Sequence, residues 1–335
     1  MILHPGIVAL VLVSFLISGM ILYSAFFGIR IVRRWDIQSG SEEQLALERR
    51  TYLISTILSY VFVFQIGSLF LYIYTADSLH NLFVGAMCAA GALNVDPYGY
   101  PTFLLKILNF ILAGLWLIIN YTDNRAYDYP LIRKKYAMLL FLAPLITTES
   151  IVQLLYFTQM KADVITSCCG SLFSSDKGSV SSDIAAMPVK AAMAGFYLSL
   201  ALTFSSGVVY YIKGKLGLLF SFASGLFFLV SCGSLISFIS LYFYELPTHH
   251  CPFCILQREY GYVGYLLYAS LLTGAVSGLG VGALAPFSVS RQKLGDRFQI
   301  CPQKRLTLLC LVSYLLFAGI SIYRMVSTDF TLGFM

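Results

Sequence analysis

Charge is what this sequence has least of. Asp, Glu, Lys and Arg make up 11% of its 335 residues, against about 25% in ordinary soluble domains, which excludes a water-facing surface wrapped around a core. Long polar stretches are absent too, so no sizeable soluble domain fits between the apolar runs. Tryptophan occurs twice and histidine four times. What remains is apolar: 58% of the chain is hydrophobic and 15% aromatic. That is the composition of a protein solvated by lipid.

Eight apolar runs approach the roughly 20 residues that cross a bilayer as helix. They fall at about residues 7 to 29, 51 to 75, 102 to 122, 136 to 159, 188 to 212, 216 to 243, 260 to 285 and 306 to 326. The chain is therefore expected to be all-α, a polytopic membrane protein with eight transmembrane helices in one integral membrane domain, 1–335. Its topology also divides as four spans plus four, 1–160 and 188–335.

Basic residues orient the spans. Arg30, Arg33, Arg34, Arg49, Arg50, Arg125, Arg133, Lys134, Lys135, Lys213, Lys215, Arg291, Lys293, Arg297, Lys304 and Arg305 are sixteen of the 22 Lys and Arg, and all fall in alternate loops. The positive-inside rule makes those loops cytoplasmic and puts both termini outside, as in a multi-pass protein of a cell inner membrane. Met1 to Gly6 carries no Lys or Arg, so the first span reads as a retained helix and not a cleaved signal. The net charge of +6 follows from this topology and implies no nucleic-acid partner; lipid is the expected surroundings.

Within the spans, Glu149 is the one acidic side chain expected near mid-bilayer. Burying a carboxylate there costs about 2.5–3.5 kcal/mol on insertion scales, so it should face the interior and have a partner, as a proton or ligand contact or as a hydrogen-bonded structural group. Lys106 is the nearest basic candidate and is also placed to snorkel outward. Gln65 suits an interhelical hydrogen bond. Gly274, Gly278 and Gly282 repeat every fourth residue and open one face of the seventh span to a helix or a flat ligand.

Sulfur and imidazole gather outside. Cys88, Cys168, Cys169, Cys251 and Cys254, together with His4, His80, His249 and His250, all fall in external segments, which suits redox chemistry in an oxidising compartment or a surface metal site. Cys88 sits in a small-residue stretch able to line a cavity. Cys168 and Cys169 are adjacent, too close along the chain for the usual disulfide span, and precede a Ser-rich loop that reads as a lid or docking segment. The densest stretch is His249-His250-Cys251-Pro252-Phe253-Cys254, expected to open the seventh helix. A four-residue helical spacing would bring Arg258 beneath Cys254, where its charge favours thiolate. Tyr260 and Tyr262 follow at the interface. Two chemistries fit these residues: thiol–disulfide exchange through Cys251 and Cys254 with an external thiol partner, or a zinc or copper site drawing on His249, His250, Cys251 and Cys254, with His80, Cys88, Cys168 and Cys169 in reserve, in an accessory, transport or electron-transfer subunit of a larger complex. Ile255 follows the second cysteine where attached haem would need His.

The run Cys251-Pro-Phe-Cys254-Ile-Leu-Gln257-Arg258 resembles the Cys-x-x-Cys-x-x-Gln/Glu-Arg segment of the bacterial disulfide bond formation protein B family, quinone-reducing membrane thiol oxidoreductases. The resemblance implies that Cys251 and Cys254 are a quinone-proximal pair, that Gln257 and Arg258 contact the quinone with Tyr260, Tyr262 and the glycine face, and that Cys168, Cys169 or Cys88 supplies the second redox pair. In that family the second pair comes later in the chain, whereas here it would lie upstream.

Overall fold

The structure is a computed structural model that describes residues 3–125, 129–161, 164–166, 180–292 and 300–330, with backbone alone for 180–182, 286–292 and 300–301. All secondary structure among the described residues is helical. Among the described residues eight helices are long and apolar enough to cross a membrane, as the hydropathy pattern requires, because in lipid a backbone must satisfy its own polar groups. Their order is α1 (Pro5–Arg34), α2 (Glu42–Leu79), the short α3 (Ala89–Leu93), α4 (Gly99–Asp123), α5 (Ile132–Gln159), the short α6 (Val180–Ala185), α7 (Val189–Lys213) and α8 (Gly217–Ser234). A π-turn at Leu235–Ile239 carries α8 into α9 (Ser240–Tyr244); α10 (Val263–Gln292) and α11 (Ile300–Ser327) close the chain. The polar residues ahead of the second apolar run are the first part of α2, which runs unbroken for 38 residues.

The chain divides into two compact units, Met1–Thr75 with Val95–Lys161, and Ala76–Asn94 with Ala162–Met335. The boundary does not follow chain order: the Cys88 segment, flanked by helices of the first unit, belongs to the second.

In the first unit, α5 packs along α1 and α4. Small hydroxyls allow the close approach to α1: Ser18 and Ser150 share a 2.7 Å hydrogen bond, and Gln153 Nε2 donates to the Leu10 carbonyl at 3.1 Å. Phe62, Trp116, Tyr136 and Ile146 fill the apolar centre. Glu149 does have a partner, and Lys106 does not snorkel. Lys106 Nζ lies 2.8 Å from Glu149 Oε1, both side chains 1% exposed. Gln65 Nε2 and Asn109 Nδ2 each donate to Glu149 Oε2 at 2.6 Å, and Lys106 also reaches Ser68 Oγ. A second buried pair, Lys135 with Asp123 at 2.9 Å, removes Lys135 from the loop charge assigned by sequence.

In the second unit, α10 packs against α8 and α11, and α7 against α8. The glycine face of α10 is occupied by helix neighbours and not by space for a flat ligand. A Cβ on Gly278 would sit 1.9 Å from Ser224 Oγ, one on Gly282 2.2 Å from Ser221 Oγ, and one on Gly274 2.4 Å from the Tyr314 ring. Cys310, to which the sequence assigns no role, lies in this seam 3.6 Å from Ser224 Oγ.

Candidate metal and thiol centre

The site is built from two irregular segments of the second unit. The first carries Cys88. Gly85, at φ +85°, brings its backbone so close to Thr166 that a Cβ would lie 2.2 Å from the Thr166 oxygen, and Thr166 N donates to the Val84 carbonyl at 3.0 Å. Cys88 then adopts an extended conformation and caps α3 (Ala89–Leu93), accepting from Gly91 N and Ala92 N. Ala89, Ala90, Gly91, Ala92 and Leu93 are all buried. Their small size is what lets a polar, sharply turned backbone pack inside the unit.

The second segment carries the histidines and the Cys-x-x-Cys. It does not open a long helix, contrary to the expectation. Cys254–Leu256 is a single 3₁₀ turn, Gln257 is extended at ψ 163°, Arg258–Tyr260 is a second turn, and α10 begins only at Val263. Gln257 therefore breaks the four-residue helical spacing that would bring Arg258 beneath Cys254, and Arg258 is exposed. Tyr262 is 49% exposed and at φ +57°, with its ring against Tyr265. Tyr260 packs edge-on against Tyr244; partial burial, then the nearby Cys254 sulfur, raise its phenol above the usual range. Two tyrosines, Tyr244 buried and Tyr268 half-buried, fasten the loop: Tyr244 Oη donates to the Cys251 carbonyl at 2.5 Å and Tyr268 Oη to that of Pro252.

Three sulfurs meet here. Cys88, Cys251 and Cys254 are buried, with all three Sγ atoms within 4.8 Å of one another. Cys88 Sγ lies 3.6 Å from Cys251 Sγ, well beyond the ~2.05 Å of a disulfide bond. His249 Nε2 lies 3.4 Å from Cys254 Sγ, its ring held edge-on at 4.4 Å from Tyr244. His250 turns elsewhere: its Nδ1 lies 2.9 Å from the Ile236 carbonyl, in the π-turn. His80 sits beside Asp77, Nδ1 to Oδ1 3.9 Å. Glu149 belongs to the first unit and is not among the groups around the sulfurs. Cys168 and Cys169 lie outside the described residues.

A clamp joins the two segments. Asp77 Oδ1 accepts from Ala89 N at 3.1 Å and from Gln257 Nε2 at 3.4 Å, while Gln257 Nε2 also donates to the Met87 carbonyl at 2.7 Å. The residues on either side of Cys88 are thus tied to an amide three positions after Cys254. Sequence reasoning singled out Gln257 but missed Asp77 and Tyr244; the sole signal for Asp77 was an acidic residue three before His80 at the end of a span.

Chemically, three soft sulfur donors and one imidazole can hold zinc or copper. Three sulfurs in contact can also exchange disulfides among themselves. The chain matches no family model, no curated protein and no solved structure, so these side chains alone carry the functional argument.

Proposed function

We propose that this is a multi-pass membrane protein that holds a zinc or copper ion through the thiolates of Cys88, Cys251 and Cys254 and the imidazole of His249, as a metal-handling or electron-transfer subunit. The observation that carries this reading is the spacing of the donors. A tetrahedral ion bound at about 2.3 Å to sulfur and about 2.0–2.1 Å to nitrogen sets sulfur–sulfur edges near ~3.8 Å and sulfur–nitrogen edges near ~3.6 Å. The Cys88–Cys251 separation of 3.6 Å and the Cys254–His249 separation of 3.4 Å lie close to two of those edges, and the three sulfurs lie within 4.8 Å of one another, while His249 Nε2 stands outside that group and would turn inward to complete the tetrahedron. Burial of all three sulfurs suits a closed site better than a thiol that must meet an external protein. The alternating basic loops support an orientation with this centre at the external face, the periplasmic side of an inner membrane, and with both termini on that side.

A second reading is favoured by the sulfur contact itself and by the Cys-x-x-Cys-x-x-Gln-Arg resemblance: a thiol–disulfide oxidoreductase. Joining two of the three thiols as a disulfide would release two electrons and two protons to a quinone, and an external dithiol would then reduce that disulfide by exchange. Metal analysis and thiol counting on the purified full-length protein decide between the two. The first reading expects about one zinc or copper per chain, lost in Cys88→Ser and in Cys251→Ser. Metal-free protein whose thiols appear only after reduction would overturn it in favour of the second.

A further inference from the structure

The end of α1 (Pro5–Arg34) carries a groove of about 410 Å³ lined by Ile29, Arg30, Arg33, Arg34 and Glu43. Arg34 is committed within it, paired to Glu43 at 2.7 Å. The Arg30 guanidinium lies 5.7 Å from the centre of the Phe26 ring, a cation–π contact, and Arg30 and Arg33 both line the groove. With Arg33 the groove keeps a net charge of two positives after the Arg34–Glu43 pair cancels.

Above these arginines runs an apolar track. Leu12, Phe15, Leu16, Leu22, Tyr23 and Phe26 are exposed at 60, 45, 70, 48, 66 and 66%. At about 100° per residue all six fall within about 120° of arc, one face of a helix that leads to Arg30 and Arg33. A soluble anion would use the guanidinium groups and leave this track uncovered. A phospholipid uses both, acyl chains on the track and phosphate in the groove.

We propose that the groove binds the phosphate of an anionic phospholipid, its acyl chain lying along the exposed face of α1. Zwitterionic lipids carry a quaternary or primary ammonium group that meets Arg30 and Arg33 unfavourably, so the site selects for net negative headgroups. The site lies entirely in the first unit and does not depend on the thiol centre.

The test is native mass spectrometry of the full-length protein released from vesicles containing equal phosphatidylglycerol and phosphatidylcholine, with the Arg30→Gln/Arg33→Gln variant alongside. Both side chains are exposed and the Arg34–Glu43 pair is left intact, so the fold should persist; an unchanged Tm checks this. The expected result is preferential retention of phosphatidylglycerol by the wild type and about thirty-fold weaker retention by the variant, from the loss of two near-surface cations. A Lys213→Gln/Lys215→Gln variant, which removes equal charge elsewhere, should retain lipid as the wild type does. Three results would overturn the proposal: no headgroup preference in the wild type, an equal loss in the Lys213/Lys215 variant, or displacement of the lipid by millimolar inorganic phosphate.

Discussion

At the scale of single residues, the groups that matter most act through others. Asp77 and Gln257 between them hold both backbone neighbours of Cys88. Removal of such outer partners typically weakens a metal site by about 10–100-fold. Asp77→Asn and Gln257→Leu should each lower zinc or copper affinity by that order without abolishing binding, and chelator competition measures it. Cobalt-loaded protein provides a readout that mere loss of stability would not move: its thiolate charge-transfer band should shift in both Gln257→Leu and Gln257→Glu, because neither side chain can donate to the Met87 carbonyl and to Asp77 as the Gln257 amide does. Affinity should also fall as pH drops, because thiol ligands with reference pKa near ~8.5 must lose protons to bind and protons compete with the ion as they become abundant. A pH-independent affinity would argue against thiolate ligands.

The buried pair Lys106–Glu149 follows a different arithmetic. Breaking such a pair by removing one partner costs about 3–5 kcal/mol, since the other charge is left buried alone, whereas replacing both is close to neutral. Lys106→Met should therefore destabilise the first unit strongly, and Lys106→Met with Glu149→Gln should recover most of the loss. Thermal unfolding in detergent decides it; a double variant as unstable as the single one would show that the charges themselves are required.

At the scale of elements, glycine decides where helices and loops meet. A Cβ on Gly264 would lie 2.9 Å from the Ile255 backbone carbonyl, so the first turn of α10 (Val263–Gln292) is pressed directly onto the Cys-x-x-Cys turn. Backbone cannot step aside as a side chain can, and Gly264→Ala should displace that turn. The expected outcome is weakened metal binding with the helices still folded, read by metal content beside circular dichroism. Gly278→Val should instead wedge α8 (Gly217–Ser234) from α10, an overpacking worth about 1–3 kcal/mol, and lower Tm.

The two glycine cases also mark what could be read in advance. The Gly274, Gly278, Gly282 spacing was legible as a face of close approach because helical periodicity places residues four apart together. Whether a helix or a ligand fills that face depends on Ser221, Ser224 and Tyr314, which arrive from other parts of the chain. The Cys-x-x-Cys turn misled for a related reason: apolar Ile255 and Leu256 read as helix, and their helix is cut at Gln257 by the side-chain clamp to Asp77 and Met87.

At the scale of the whole molecule, the alternation of basic loops predicts one orientation in the membrane. Gly40→Cys, in the loop after Arg34, and Met187→Cys, before α7 (Val189–Lys213), place thiols in loops predicted to lie on opposite faces. In intact cells a membrane-impermeant maleimide should label Met187→Cys and spare Gly40→Cys; the reverse pattern would invert the topology and move the thiol centre to the cytoplasmic side.

The sequence by itself determined the membrane class and the eight spans, because the cost of placing charge or unpaired backbone in hydrocarbon acts on each segment locally and leaves its mark in composition. It likewise marked Glu149 as needing a partner and Cys251 and Cys254 as a pair. The tertiary structure alone decided that Lys106 is that partner, that Cys88 is the third sulfur, and that Asp77 joins the two loops around it. Those are contacts between residues 43 to 180 positions apart, chosen by packing among elements that no local pattern in the chain records.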